Sequence, residues 1–436
     1  MLSMSNELQE GIYYRSRPPI GNSFCIMSLR AQNATQISEI GSAVGRIWNI
    51  LVKLKNGITQ DLDIDPKHRR SGNLTVLVAY GPELFKIPGL QKEKPASFGQ
   101  ISNFKPPDSA GGGEVLDGSD LTYSTKLFSN HLLTDHVVFQ FIAENEFFTN
   151  RAAVEIWKEL RRLEKNRGNT PLRITGLYTG FQRADHRNWM GFHDGVSNLK
   201  SHERLHVIAI NSRYLSSQDN WTLNGTYLAF MRMIIDLDKW VDTSITEQEI
   251  LVGRDKITGC PLISVDKNGK PVKDVRCPVP GTSEVIDAGN EYFREHPPYG
   301  SRTENKILQY SHIGRTRPIE RTPIWDKKSI RIYRQGSEFL TTSNENSGLV
   351  VGLNFVSFQN TPERLFRALT YQHTIFKNVA GPKPLPNLNR FTWVLAAGIF
   401  FVPPKIRGEP FPGARIFFNN AELRNLSRNL GNNIKI

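Results

Sequence analysis

Short runs of β-branched and aromatic residues, separated by turn-forming residues, are the feature that most limits the fold of this chain. Two of them, 74–80 (LTVLVAY) and 136–142 (HVVFQFI), are almost continuously apolar, which is typical of buried strands. Residues 153–163 instead place apolar side chains at helical spacing, and Thr149 or Asn150 can cap the helix that this spacing predicts. The first half of the chain is therefore expected to mix strands with helices.

The second half of the chain shows the same mixture. Strand-like runs occupy residues 227–234, 349–356 and 393–402, and residues 361–363 (TPE) supply the cap, the proline and the acid that are typical of a helix start. Because both halves mix strands with helices, the sequence predicts an α+β fold.

A polar stretch, residues 211–226, separates the two sets of strands. We place a domain boundary there, which gives an N-terminal domain of residues 1–218 and a C-terminal domain of residues 219–436. Another stretch, residues 104–120, is rich in Pro, Gly and Asp and predicts a surface loop within the first domain.

Charge and composition exclude several classes of protein. Lys and Arg outnumber Asp and Glu by 55 to 42, and the resulting net charge of +13 attracts anions. The basic residues are dispersed rather than clustered between aromatic residues, which does not favour nucleic-acid binding. A basic binding module for acidic partners stays open as an alternative on charge alone. The hydrophobic fraction of 39% is too high for a disordered chain.

Cysteine usage and apolar segments bear on the location of the protein. Cys25, Cys260 and Cys277 form no CxxC pair, and such a sparse, odd set is typical of a reducing compartment rather than of a disulfide framework. The N-terminal segment lacks the pattern of a secretory signal, and no apolar run approaches the ~20 residues of a membrane-spanning helix. The sequence therefore predicts a cytoplasmic protein without a membrane partner.

Three segments carry side chains that could perform chemistry. In GFHDG, two glycines let the chain turn tightly around Asp194, which is either a functional carboxylate or a turn aspartate that bonds its own backbone. In SHIGRTRP, His312 is either a ligand for a metal or an anion, or an ordinary packed or exposed histidine. In RIYRQG, Arg334 belongs to a predicted strand with one basic face, which could simply be solvated.

The order and spacing of these segments resemble the dye-decolorising peroxidase (DyP-type) family of haem proteins. GFHDG resembles that family's GxxDG, and six further matches follow along the chain in the family's order. They are NGTYLAFMR (224–232), LVGRDKITGCPL (251–262), SHIGRTRP and IYRQG (311–318 and 332–336), GLNFVSFQN (352–360) and GIFFVPP (398–404). No single match is specific, but the ordered series is.

The resemblance implies two ferredoxin-like α+β domains with antiparallel β-sheets and peripheral helices, and haem in the C-terminal domain. It implies haem b (iron protoporphyrin IX) as the cofactor, with His312 as the axial ligand of the iron. In the family's chemistry Asp194 would take a proton from peroxide and return it as the O–O bond breaks, while Arg334 would stabilise the developing anion.

Four further residues are assigned to the cofactor site by the same resemblance. Leu353 and Phe355 would shape the distal pocket, and Arg232 and Arg315 would pair with the haem propionates, because arginine makes strong charge-assisted contacts with carboxylates.

The implied function is a haem-dependent peroxidase, an oxidoreductase that reduces hydrogen peroxide and oxidises organic donors through a ferryl intermediate. The donors would be dye-like, phenolic or specialised substrates. The alternative is a haem-binding or haem-handling protein with little peroxidase turnover. Hydrogen peroxide and an organic electron donor are the expected partners, and a homo-oligomer is compatible with the sequence.

Three positions depart from the family's pattern. Gly314 stands where the family's proximal segment has arginine, one position before Arg315. Asn354 stands in the usually apolar distal segment, where it either faces the haem or faces away from it. Residues 336–339 (GSEF) lack the usual Pro-Tyr-Gly, and the sequence identifies no acid that would orient His312.

Overall fold

The computed structural model describes strands and helices from both halves of the chain. The described residues are 6–12, 21–32, 36–59, 70–98, 135–183, 185–194, 198–199, 201–212, 215–273, 308, 311–316, 329–342, 348–365, 368 and 388–431. The loop predicted at 104–120 lies outside them.

The strands of the described residues alternate with helices, as the sequence predicts. The strands are β1 (Asn6–Glu7), β2 (Ser23–Ala31), β3 (Thr75–Tyr80), β4 (Val137–Ala143), β5 (Leu172–Phe181), β6 (Thr226–Ile235), β7 (Leu262–Val265), β8 (Pro271–Lys273), β9 (Tyr333–Arg334), β10 (Ser337–Thr342), β11 (Leu349–Gln359), β12 (Thr392–Val402) and β13 (Lys405–Ile406). The helices are α1 (Ile37–Lys55), α2 (Glu146–Arg167), α3 (Ser201–Ile208), α4 (Leu237–Val241), α5 (Ile245–Val252), α6 (His312–Thr316), α7 (Ala414–Phe417) and α8 (Asn420–Gly431).

In the first half, the four strands β2 to β5 form an antiparallel sheet in the order β5-β2-β4-β3. Numbered along the chain, that order is fourth, first, third, second, and helices α1 and α2 provide the two crossovers. This is the strand order of a ferredoxin-like unit.

The second half repeats this strand order. Strand β12 pairs with β6, β6 pairs with β11, and both β9 and β10 pair with the other edge of β11. Only Gln335 and Gly336 separate β9 from β10, so the two act as one interrupted strand. The order is again fourth, first, third, second. The predicted fold class, two ferredoxin-like α+β units with antiparallel sheets, is therefore confirmed.

The two sheets join at both edges. Tyr80 of β3 pairs with Phe401 of β12, and Phe181 of β5 pairs with Glu338 of β10. The strands consequently close into a barrel, which leaves few unpaired edges. The predicted boundary at residue 218 falls in the short 3₁₀ helix Ser217–Thr222 between β5 and β6, and it stays a prediction because strands from both halves share one sheet.

The barrel interior is apolar and draws side chains from both halves. Phe24, Leu77, Phe230, Val356 and Phe400 belong to one buried cluster there. Because side chains alternate along a strand, the neighbours of these residues point outward. In β11, Asn354 and Val356 face inward, whereas Leu353 and Phe355 lie on the outer face.

Helices α1 and α2 pack together, and α2 also lies against β2 and β4 on the outer face. Ile47 and Ile156 are fully buried there, and burial of such a side chain stabilises the fold by about 1.5–3 kcal/mol. The predicted cap of α2 is wrong: the helix begins at Glu146, and the Asn145 side chain accepts a hydrogen bond from the backbone N–H of Phe147 at 3.1 Å. Thr149 instead bonds the Ser23 hydroxyl at 2.8 Å.

The sequence argument from cysteine number predicted no disulfide framework, and the structure agrees with it at one cysteine but not at another. Cys25 is a buried free thiol, but Cys260 is disulfide-bonded. The sequence argument for a reducing compartment is therefore wrong at Cys260, and the cytoplasmic location stays a prediction. Among the helices of the described residues, none combines the length and the apolar character that crossing a membrane requires.

Candidate active site

Asp194 closes a tight hairpin of residues 186–194. Its backbone N–H donates to the carbonyl of His186 at 2.8 Å, and Asn188 donates to the carbonyl of Phe192 at 2.9 Å. The hairpin thus satisfies its own backbone groups. The Asp194 backbone is held by this turn, whereas its carboxylate reaches beyond the hairpin to Gly336.

The Asp194 carboxylate lies over the backbone of Gly336, next to Leu353. A methyl group on Gly336 would come 3.0 Å from Asp194 Oδ2 and 3.3 Å from Leu353 Cδ1. The close approach of the carboxylate therefore depends on glycine at this position. The structure brings together two residues, Asp194 and Leu353, that the sequence assigned to the same site.

Arg334 lies on the same outer face. It pairs with Ser357 of β11, which has the same orientation as Leu353 and Phe355. Its backbone is fixed by Asn198, which accepts from the Arg334 N–H at 3.1 Å and donates to the Arg334 carbonyl at 2.7 Å. Burial lowers the pKa of Arg334, and the negative charge of Asp194 opposes that shift.

Glu338 is a site residue that sequence reasoning missed. It pairs with Leu353 across β10 and β11 and is only 3% exposed. Burial, followed by the charge of Asp194, raises the pKa of Glu338 to about 8. The sequence pattern that could have identified Glu338 is its even spacing from Arg334 along one interrupted strand, because residues an even number apart share a face. Asp194 therefore interacts electrostatically with both Arg334 and Glu338 on the face of the sheet that carries Leu353.

His312 begins helix α6. Ser311 precedes it, and the Ser311 hydroxyl donates to the carbonyl of Leu308 at 2.7 Å while accepting from the N–H of Gly314 at 3.1 Å. Gly253, at φ 87°, ends α5 directly against this turn, because a methyl group there would come 2.5 Å from the Ser311 hydroxyl. His312 is half-buried.

The segment 251–262 connects the helix of His312 with the hairpin of Asp194. At one end Gly253 contacts Ser311. At the other end Arg187 of the hairpin donates to the carbonyls of Lys256 at 2.7 Å and Ile257 at 2.8 Å. The segment that the resemblance picked out as LVGRDKITGCPL therefore links the two halves of the candidate site.

His193, the neighbour of Asp194, belongs to this link rather than to the site chemistry. Its Nε2 lies 3.0 Å from Arg187 Nη2 and 3.1 Å from the carbonyl of Ile257. Burial and the charge of Arg187 lower the pKa of His193, so the ring is neutral at physiological pH.

Arg232 does not join the other predicted residues. It pairs with Asn354, so it faces the barrel interior, and it donates to Asn354 Oδ1 at 2.9 Å. Its guanidinium carbon lies 3.6 Å from the ring centre of Phe339 and 5.7 Å from that of Tyr178. The structure therefore does not bring Arg232 together with Leu353, because the two side chains lie on opposite faces of the sheet, and the contact of Arg232 with a propionate stays a prediction.

The structure describes the side chains of Asn354 and Phe355 but not that of Arg315. Asn354 is fully buried and faces away from Leu353, so its amide does not reach the face that carries Leu353. Phe355 lies on the outer face beside Leu353 and packs against the core there. Arg315 belongs to α6, but its side chain lies outside the described residues.

Known families and curated proteins give consistent matches. A family model described as "Dyp-type peroxidase, C-terminal" matches residues 185–407. The deferrochelatase of Escherichia coli (strain K12) is 26% identical over 239 residues, which are 54% of this chain and 46% of that protein. The deferrochelatase of Shigella flexneri is 25% identical over 222 residues, 50% of this chain and 43% of that protein. The chain thus spans about half the length of the curated relatives it matches.

Solved structures share the fold over nearly the whole chain. A DyP-type peroxidase from Cellulomonas bogoriensis has a TM-score of 0.63 at 19% identity, covering 96% of this chain and 98% of its own. DtpA from Streptomyces lividans has the same TM-score and identity, covering 96% of this chain and 99% of its own. At such identities the likeness shows the fold alone. Because the family model matches slightly more than half of the residues, this chain belongs to the DyP-type peroxidase family.

Proposed function

We propose that the protein is a haem-dependent peroxidase that reduces hydrogen peroxide and oxidises organic donors. The observation that carries this proposal is that the Asp194 carboxylate lies beside Leu353 and interacts electrostatically with Arg334 on the outer face of the second sheet. A proton-transferring carboxylate beside a permanent cation and an apolar wall is what peroxide cleavage requires.

The residues present fit haem b. The macrocycle needs an apolar wall, which Leu353 and Phe355 supply on the outer face. Its iron needs a neutral imidazole, and the half-buried His312 at the start of α6 is the candidate ligand. Arg315, on the same helix, is the proposed partner of a propionate. When bound, haem supplies the electrons that reduce peroxide.

The polypeptide contributes proton transfer and charge. Asp194 takes the proton from one peroxide oxygen and returns it to the other as that oxygen departs, so the same carboxylate acts as base and then as acid. Arg334 stabilises the negative charge that develops on the peroxide. Leu353, next to the Asp194 carboxylate, limits the water that would compete for these contacts.

Reaction with hydrogen peroxide in a stopped-flow spectrometer tests this function. The haem-loaded protein is expected to change its absorption spectrum rapidly on mixing, and to return to the starting spectrum when a reducing dye or phenol is added. A haem-loaded protein whose spectrum does not respond to peroxide would exclude the peroxidase proposal.

The second candidate is a haem-handling protein, because both curated relatives are named deferrochelatase. Iron removal from haem leaves a metal-free porphyrin, which fluoresces strongly, whereas haem does not. Porphyrin fluorescence that appears in the haem-loaded protein without peroxide, together with no dye oxidation, would favour this candidate over the first.

A further inference from the structure

Glu338 is a buried carboxyl group that the proposed mechanism does not use. It is 3% exposed, and transferring a charged carboxylate from water to such a place is costly. Its Oε1 atom has no hydrogen-bond partner in the described part of the chain. The residue faces Leu353 of β11 and Phe181 of β5 across the sheet, and neither neighbour carries charge.

Glu338 is tied to the hairpin that carries Asp194. Its Oε2 atom accepts a hydrogen bond from the backbone N–H of Trp189 at 3.3 Å. The Trp189 indole N–H donates to the carbonyl of the next residue, Phe339, at 3.0 Å. Strand β10 therefore holds the hairpin through Trp189. The same hairpin carries Asp194, whose charge acts on Glu338.

The charged groups around Glu338 do not offset its burial. Asp194 and, more weakly, Asp185 disfavour a negative charge there, whereas Arg183 and the Trp189 N–H favour it. Burial is the largest effect, and the balance raises the pKa of Glu338 to about 8. Arg334, the cation nearest in the mechanism, interacts instead with Asp194.

We propose that Glu338 is a positioning residue: as an uncharged, buried carboxylic acid it holds the hairpin that carries Asp194 through Trp189, and its ionisation slows the peroxide reaction. The inference rests on the proposed peroxidase function. When Glu338 releases its proton to water, a second negative charge stands near the Asp194 carboxylate. That charge opposes the negative charge that develops on the peroxide, so the reaction slows.

Infrared spectroscopy of the purified protein tests the protonation of Glu338 directly and without reference to activity. At neutral pH the wild-type spectrum minus that of Glu338→Gln is expected to contain the C=O stretch of a protonated carboxylic acid. That band should disappear as the pH is raised past about 8. A difference spectrum without such a band at neutral pH would overturn the inference even if the protein proved to be an active peroxidase.

The pH dependence of the peroxide reaction tests the positioning role. Glu338→Gln keeps an oxygen that can accept the hydrogen bond from the Trp189 N–H, but its side chain cannot ionise. The wild-type rate constant is expected to fall as the pH rises past about 8 and to level off once Glu338 is fully ionised, whereas the rate constant of the variant stays level. Glu409→Gln, which alters another buried carboxyl with an unpaired oxygen, is the matched control and should keep the alkaline fall.

The same alkaline fall in wild type and Glu338→Gln would contradict the inference, since the group that titrates would then be another one. A protein that shows the infrared band but does not react with peroxide at any pH would contradict the peroxidase proposal, and with it the role of Glu338 in that reaction, while leaving the protonation of Glu338 established.

Discussion

Replacing Asp194 with asparagine is expected to slow the reaction of the haem-loaded protein with hydrogen peroxide by about 10²–10⁴-fold, the usual contribution of a positioned acid–base group. Asparagine has nearly the shape of aspartate, so it fits above Gly336 where a larger side chain would not. It cannot take a proton from peroxide, however, and it carries no charge to pair with Arg334. The measurement is the second-order rate constant from stopped-flow absorbance.

The control for this substitution is Asp185→Asn. Asp185 lies just before the same hairpin and pairs with Arg183 at 2.6 Å, at an exposed position. The Asp185→Asn protein should react with peroxide with a rate constant within a few-fold of the wild type, since Asp185 does not contact the reacting groups. An Asp194→Asn protein that keeps the wild-type rate constant would remove Asp194 from the mechanism.

Glu338→Gln is expected to make the stability of the protein less dependent on pH. The ordinary pKa of glutamate is 4.5, and burial raises that of Glu338 to about 8. Between these values the folded protein keeps a proton that the unfolded chain releases, so the wild-type stability falls as the pH rises and levels off above about 8. The substitution removes this fall, which amounts to about 2–5 kcal/mol.

Urea unfolding at several pH values between the two pKa values and above them measures this difference. The free energy of unfolding of Glu338→Gln, relative to that of the wild type, should increase with pH between the two pKa values. Above them this difference should stay constant. Glu93→Gln, at an exposed loop position, is the control and should follow the wild type throughout. Parallel curves for wild type and Glu338→Gln at every pH would show that Glu338 ionises in the folded protein as readily as in water.

The strands and the family were predictable from the sequence because both depend on local patterns. Buried strands such as β4 and β12 are continuous apolar runs, and the motif series from Asp194 to the final strand is linear in the chain. The closure of the barrel was not predictable, because the pairing of Tyr80 with Phe401 joins two edges that no local pattern connects.

The composition of the site was predictable in part for a similar reason. Motif order identified Asp194 and Arg334, but the face on which a strand residue lies depends on its register with neighbouring strands. That register sends Arg232 into the barrel beside Asn354 and places Glu338 on the outer face. The disulfide at Cys260 likewise depends on a spatial approach that spacing along the chain does not reveal.

The central proposal is that His312 binds haem iron at the site that contains Asp194 and Arg334. Titration of the purified protein with hemin, followed by the Soret absorbance, tests it most directly, with His202→Ala, an exposed histidine of α3, as the control. Wild type and His202→Ala should form the same sharp histidine-ligated Soret band, and His312→Ala should lose it and regain it when free imidazole is added. A His312→Ala protein that binds hemin with the wild-type spectrum and affinity would contradict the account.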